Sequence, residues 1–274
     1  MLGEWLEVQA PYVKFRNLIN GHIIPSLGKM ALKQVGTAQL TRFIHEKAEY
    51  GRLDGRGGLS NSTLQVLFLI LKSSLEYAVR ERYIAPLDFT LKCPEVKRES
   101  AKALTVDEQA MLERSLRSDL DASKLGILLC LYTGLRIGEV CALHWRDISF
   151  EGQLICVRRT VQRLQLPTAT AEKKAALVTG LPKSKCSLRR IPIPQCLTDT
   201  LLAHRRNPEV YILSEKAEKP MEPRTYQYRF ERYITTAGIS DVNFHVLRHT
   251  FATRLDGGVV SFHASKGGQG EMGL

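Results

Sequence analysis

The sequence predicts a mainly α-helical protein in two units, with a small antiparallel sheet in the second. Three observations carry that expectation. An apolar stripe with helical spacing runs through Leu64, Leu67, Phe68, Leu71, Leu75 and Ala78. A helix-start signature stands at Thr105 and Glu108, three apart, so that each side chain can satisfy a backbone N–H of the other. The run Leu154–Val161 has strand composition, and Arg190–Pro194 answers it as a short strand with edge-type prolines.

In chain order, the first unit spans residues 1–98. Leu18, Ile19, Ile23 and Ile24 recur at helical spacing, and Pro25 punctuates the run. Thr37 is a plausible cap for the next helix. Leu53–Gly58 is a glycine-rich turn with the basic pair Arg52 and Arg56, and Ser60 opens the striped helix. Pro86, Pro94 and the charged run Lys97-Arg98-Glu99 form a linker. The second unit, residues 99–256, continues from the Thr105 start signal to a helical stretch Lys124–Trp145, broken at Gly134. Residues 163–190 form a polar, basic excursion, and helices resume over Tyr226–Ile234 and Phe244–Leu255. The last stretch, residues 257–274, carries six glycines without a period and is not expected to pack as an ordinary helix.

Composition narrows the function classes. Hydrophobic content of 44% and charged content of 24% suit a soluble globular protein. The net charge of +11 favours a polyanionic partner such as nucleic acid over an anionic membrane surface. The longest apolar run, Leu125–Tyr132, is too short to cross a bilayer, and the opening Met1-Leu2-Gly3-Glu4 has no secretory character, so a cytoplasmic protein is expected. The six cysteines form no C-x-x-C pair and lie apart from the seven histidines, which points to small buried hydrophobes and no metal site.

Three islands in the second unit carry the chemistry. In Thr133-Gly134-Leu135-Arg136-Ile137-Gly138-Glu139, the glycine ends one helix and Arg136 opens the next, where a guanidinium can face an anion; Glu139 lies one turn on and can orient it. In the second, Pro182–Arg190, lysines and arginines crowd together. From Arg158 to Arg190 nine basic residues face one acidic residue, so this strip on a hairpin could track phosphates. Its members are Arg158, Arg159, Arg163, Lys173, Lys174, Lys183, Lys185, Arg189 and Arg190. In the third, His245-Val246-Leu247-Arg248-His249, positions 245, 248 and 249 share one helical face. Each island alone reads as a surface ion pair, a solvated loop or a structural turn.

Together they resemble the active-site boxes of tyrosine recombinases of the phage-integrase family, in order and in type. The first unit is similar to that family's core-binding domain through Phe15, Ile19, His22-Ile23, Pro25 and Leu27-Gly28. The resemblance implies a helical, SAM-like core-binding domain over residues 1–98. Residues 99–256 would be an α+β catalytic domain of the DNA breaking-rejoining enzyme fold, and the two would close around duplex DNA. It implies that Arg136 and Arg248 clamp the scissile phosphate, that Lys183 protonates the leaving 5′ oxygen, and that His245 assists proton transfer. Glu139 would support the first arginine, with His249 behind it. No cofactor and no metal are implied; the partner is double-stranded DNA at attachment or core sites, with self-association on DNA.

One element of the family pattern has no counterpart here. The family's nucleophilic tyrosine follows the H-x-x-R box, whereas the last tyrosine of this sequence is Tyr233. The expectation is a chain shortened at both ends whose DNA cleavage is lost and whose self-association on DNA is weakened. Tyr226, Tyr228 and Tyr233 read as packing and surface. Competing readings are a non-catalytic protein that occupies attachment sites and a degenerate pseudogene product; a type IB topoisomerase is disfavoured by the first unit.

Overall fold

The computed structural model describes residues 13–85, 102–165, 175–180 and 188–256. The chain divides into two compact units, Met1–Glu99 and Ser100–Leu274.

In the first unit, α1 (Val13–Leu18) runs into a π-helical turn, Ile19–Ile23, and continues as α2 (Ile24–Leu27). Pro25 therefore does not stop the helix. It falls in the first turn of α2, where a missing N–H is tolerated, directly after the widened turn. Helix α3 (Thr37–Tyr50) is capped by Gly36 rather than Thr37: the Gly36 N–H donates to Gln39 Oε1 at 3.2 Å, and Thr37 is already helical. Helix α4 (Asn61–Arg80) starts as expected, with Ser60 Oγ accepting the Thr63 N–H at 3.3 Å. Ile19, Ile23, Leu40, Phe43, Leu67 and Ile70 meet in a shared core. Each side chain so buried contributes on the order of 2 kcal/mol.

The second unit is organised around one helix. Helix α5 (Val106–Arg117) opens with the reciprocal cap, Thr105 Oγ1 accepting the Glu108 N–H at 3.1 Å and Glu108 Oε2 accepting the Thr105 N–H at 2.8 Å. Helix α6 (Ala122–Thr133) is buried on nearly every side from Leu125 to Leu131, which fits its apolar sequence. After it come the short α7 (Ile137–Cys141), β1 (Ile148–Ser149), β2 (Leu154–Val157), β3 (Thr160–Gln165), β4 (Ala175–Gly180) and β5 (Arg189–Pro192). Helices α8 (Gln195–Ala203), α9 (Pro223–Thr236) and α10 (Val246–Asp256) complete the described residues. Tyr226 and Phe230 of α9 are fully buried against Phe244, with ring centroids 5.4 and 5.0 Å away. Cys130 and Cys141 are buried thiols of this core, whereas Cys196 is exposed.

The strands depart from the expected single run Leu154–Val161. It is two strands in two sheets. One sheet has the order β1-β2-β5, all antiparallel, with Ile155 opposite Ile191; the other is the hairpin β3-β4, with Val161 opposite Thr179. The break at Arg158-Arg159 has a cause: Arg159 turns aside to donate to Asp147 Oδ2 at 2.9 Å. The hairpin also replaces part of the irregular excursion expected over 163–190. Strand β5 lies at a sheet edge, where Pro192 removes no ladder hydrogen bond.

Candidate phosphate-binding site

The site begins where α6 ends. Gly134 takes the left-handed conformation, φ +62°, and a Cβ there would stand 2.5 Å from the Phe251 ring, so the position needs glycine. The turn sends Leu135 into the core and leaves Arg136 exposed at the cap of α7. Helix α7 then lies so close to β3 that a Cβ on Gly138 would meet Thr160 Oγ1 at 2.6 Å and the Val161 carbonyl at 2.7 Å.

Glu139 anchors this turn. Its side chain is 4% exposed, and its two oxygens accept four hydrogen bonds. Arg136 supplies its backbone N–H at 2.8 Å and Nη1 at 3.0 Å. Arg189, from β5, supplies Nη1 at 2.9 Å and Nη2 at 2.8 Å. Burial pushes the Glu139 pKa up, but the hydrogen bonds and charge of the two arginines outweigh it, and the carboxyl sits below its ordinary value.

The third island docks on the end of α6. Arg248 Nη1 donates to the Gly134 carbonyl at 2.6 Å, which ties α10 to the helix terminus and sets its guanidinium beside Arg136. Burial, then the charges of Arg136 and Arg189, lower the Arg248 pKa, while Glu139 opposes them; a guanidinium stays charged regardless. His245 lies one residue before α10 rather than within it. Its N–H donates to Asn243 Oδ1 at 2.9 Å, and its carbonyl accepts the N–H groups of Arg248 and His249, so the three expected positions still share one turn. The His245 ring meets that of His249 edge-on, centroids 4.6 Å apart. Burial, His249, Arg248 and Arg136 all hold the His245 pKa below its ordinary value, which leaves the imidazole neutral at pH 7.

Arg136, His245 and Arg248 line one cleft of 340 Å³, with Gln227 and Asn243 at its wall. Two guanidiniums and a neutral imidazole around one cavity can hold a tetrahedral oxyanion and exchange a proton with it. Of the other expected residues, Lys173, Lys174, Lys183 and Lys185 lie outside the described residues. Arg158 and Arg190 are exposed, and Arg163 pairs with Glu222. Arg159 and Arg189 are engaged internally, with Asp147 and Glu139. Tyr226 is buried with its hydroxyl on the Ser123 carbonyl, and the Tyr233 hydroxyl donates to Asp121. Gln227 and the Gly134 carbonyl were not foreseen. Asn243, two residues before His245, carried a signal in its turn-forming type. Among the described residues no three His, Cys, Asp or Glu side chains stand together as a metal site, and no helix is long and apolar enough to cross a membrane.

The pattern of the phage integrase family matches residues 103–263, more than half of the sequence. The chain belongs to the phage integrase family. Among curated relatives of this chain, a XerC-like tyrosine recombinase of Caldanaerobacter subterraneus subsp. tengcongensis is 26% identical over 271 residues, covering 90% of this chain and 67% of the relative. A tyrosine recombinase XerA of Thermococcus onnurineus is 29% identical, covering 73% of the chain and 63% of the relative. The chain thus spans about two thirds of the length of these relatives. Among solved structures, the Tn1549 transposon integrase in complex with transposon right end DNA aligns over 95% of this chain and 86% of its own, with TM-score 0.74 and 19% identity. A lambda integrase tetramer bound to a Holliday junction aligns over 92% of the chain and 70% of its own, with TM-score 0.58 and 17% identity. At such identities the likeness is one of fold.

Proposed function

We propose that this chain is the DNA-binding and phosphate-holding part of a site-specific recombinase of a mobile element. The observation that carries the reading is the convergence of Arg136, Arg248 and His245 on one cleft from turns more than a hundred residues apart. The two guanidiniums bind the non-bridging oxygens of a scissile phosphate in duplex DNA and stabilise the charge that develops as it becomes pentavalent. The neutral His245 takes part in proton transfer, and Lys183 acts as the acid that protonates the leaving 5′ oxygen. Glu139 holds Arg136 in place. The net charge of +11, with Arg158 and Arg190 exposed, supports attraction of the DNA backbone. DNA complexes of the Tn1549 and lambda integrases support the same partner by analogy.

Covalent strand transfer needs a hydroxyl nucleophile, and these 274 residues hold no tyrosine after Tyr233. The 274-residue polypeptide is therefore expected to bind the element's core site without cutting it. A suicide substrate carrying that site tests this: salt-sensitive binding with no covalent adduct is expected, and an adduct on Tyr226, Tyr228 or Tyr233 would overturn the cleavage-deficient reading.

A further inference from the structure

A third arginine, Arg189, reaches Glu139 from outside the lining of the cleft. Glu139 is one carboxylate shared by two guanidiniums, and the sharing is unequal. Arg189 approaches fork to fork, placing Nη1 and Nη2 on separate oxygens at 2.9 and 2.8 Å, whereas Arg136 spends a single Nη at 3.0 Å. Exposure follows the same order: the Arg189 side chain is 25% exposed and that of Arg136 52%. Arg189 is set in β5, where it is opposite Val157 of β2, so it approaches Glu139 from a paired strand rather than a loop.

We propose that Arg189 is a positioning residue, which by gripping Glu139 with both Nη atoms leaves the Arg136 guanidinium turned toward the cleft. A buried carboxylate seeks bidentate partners. With Arg189 in place that demand is met, and Arg136 keeps its remaining donors for an oxyanion. Without it, Arg136 is the sole guanidinium on Glu139, and forked pairing draws it off the cleft. The charge count agrees: Arg136, Arg248 and Arg189 against Glu139 leave two positive charges for the phosphate, and loss of Arg189 leaves one. Lysine cannot replace it, because an ammonium presents one point charge and not a fork. The inference rests on the reading of the cleft as a phosphate site.

Two measurements on the full 274-residue chain test it. The first is the His245 titration followed by NMR, which needs no DNA. Arg136 depresses the His245 pKa, while Arg189 is not among the groups that act on it directly. Arg189→Gln is therefore expected to raise the His245 pKa only by moving Arg136, and Arg136→Gln to raise it likewise, with no further rise in the double variant. Arg189→Lys does not restore the wild-type value, whereas Glu139→Gln combined with Arg189→Gln moves it back toward that value, because no carboxylate remains to draw Arg136 off the cleft; this pair leaves no buried charge to satisfy and serves where the single variant does not fold. The second is affinity for a short mixed-sequence duplex. Arg189→Gln is expected to weaken it about tenfold, without adding to the loss from Arg136→Gln. An unmoved His245, full function in Arg189→Lys, or additive losses in affinity would each overturn the proposal. Failure of the wild type to bind any duplex would instead sink the phosphate reading, and the His245 titration would still decide the role of Arg189.

Discussion

Two buried carboxylates, Glu139 and Asp147, occupy the same local motif and do different work. Each stands three residues after the cap of a short helical turn and accepts the backbone N–H of that cap, Arg136 at 2.8 Å and His144 at 3.1 Å. Each also accepts an arginine from the strand region, Arg189 or Arg159. Glu139 has both oxygens fully used and passes an exposed guanidinium to a cleft. Asp147 uses Oδ2 alone; its Oδ1, together with Arg159 Nε and Trp145 Nε1, is buried without a protein partner. The His144 ring packs tilted against Tyr211, centroids 3.8 Å apart, and closes that network off. The comparison teaches that the motif itself is structural. A site arises where one arginine satisfies the carboxylate and a second remains free to face outward.

The largest test of this contrast is Glu139→Ala. It strands two guanidiniums around a vacated buried position, and a loss of about 4 kcal/mol is expected in urea denaturation. A loss below that of Asp147→Ala would break the comparison. Next comes Gly134→Ala, which forces a left-handed alanine against the Phe251 ring and loosens the turn holding Arg136. About 2 kcal/mol is expected, together with weaker duplex binding. Asp147→Asn should cost roughly 1 to 2 kcal/mol, because one charged hydrogen bond to Arg159 is lost, and should leave duplex affinity unchanged once the protein is folded.

The pH dependence separates the two networks further. The Glu139 carboxyl is held below its ordinary 4.5, so the stability it contributes is present above that value and fades as pH falls through the depressed one. His144 is held below 6.5 by burial first and by Arg159 next, so the folded state resists its protonation and stability declines once pH drops below 6.5. Denaturation midpoints from neutral pH downward should thus fall in two stages, and His144→Phe should shrink the earlier one without abolishing it, because burial holds His22 and His245 below 6.5 as well. The smallest effect is expected for Arg158→Gln, an exposed side chain: stability within about 0.5 kcal/mol of wild type, and a salt dependence of duplex binding shallower by about 0.9 in slope if Arg158 meets a phosphate.

What was legible in the sequence follows the range of the forces involved. Ser60, the Thr105–Glu108 cap and the break at Gly134 act within a few residues, and each appears where its residue types place it. Arg136 with Glu139, and His245 with Arg248, were readable for the same reason. The errors come from partners distant in sequence. Leu154–Val161 looks continuous until Asp147, twelve residues upstream, claims Arg159. The β3-β4 pairing joins Val161 to Thr179 across a polar stretch with no alternation to announce it. The Arg189–Glu139 pairing is equally silent in the sequence, because nothing in the basic strip reveals that a carboxylate 50 residues earlier takes both Nη atoms of Arg189.

The bond from Arg248 to the Gly134 carbonyl spans 114 residues of sequence. During synthesis the first arginine of the cleft leaves the ribosome long before the second. A nascent chain that has completed α7 but not α10 carries only one of the two guanidiniums that line the cleft. The cleft is thus completed late, when α10 latches onto the end of α6.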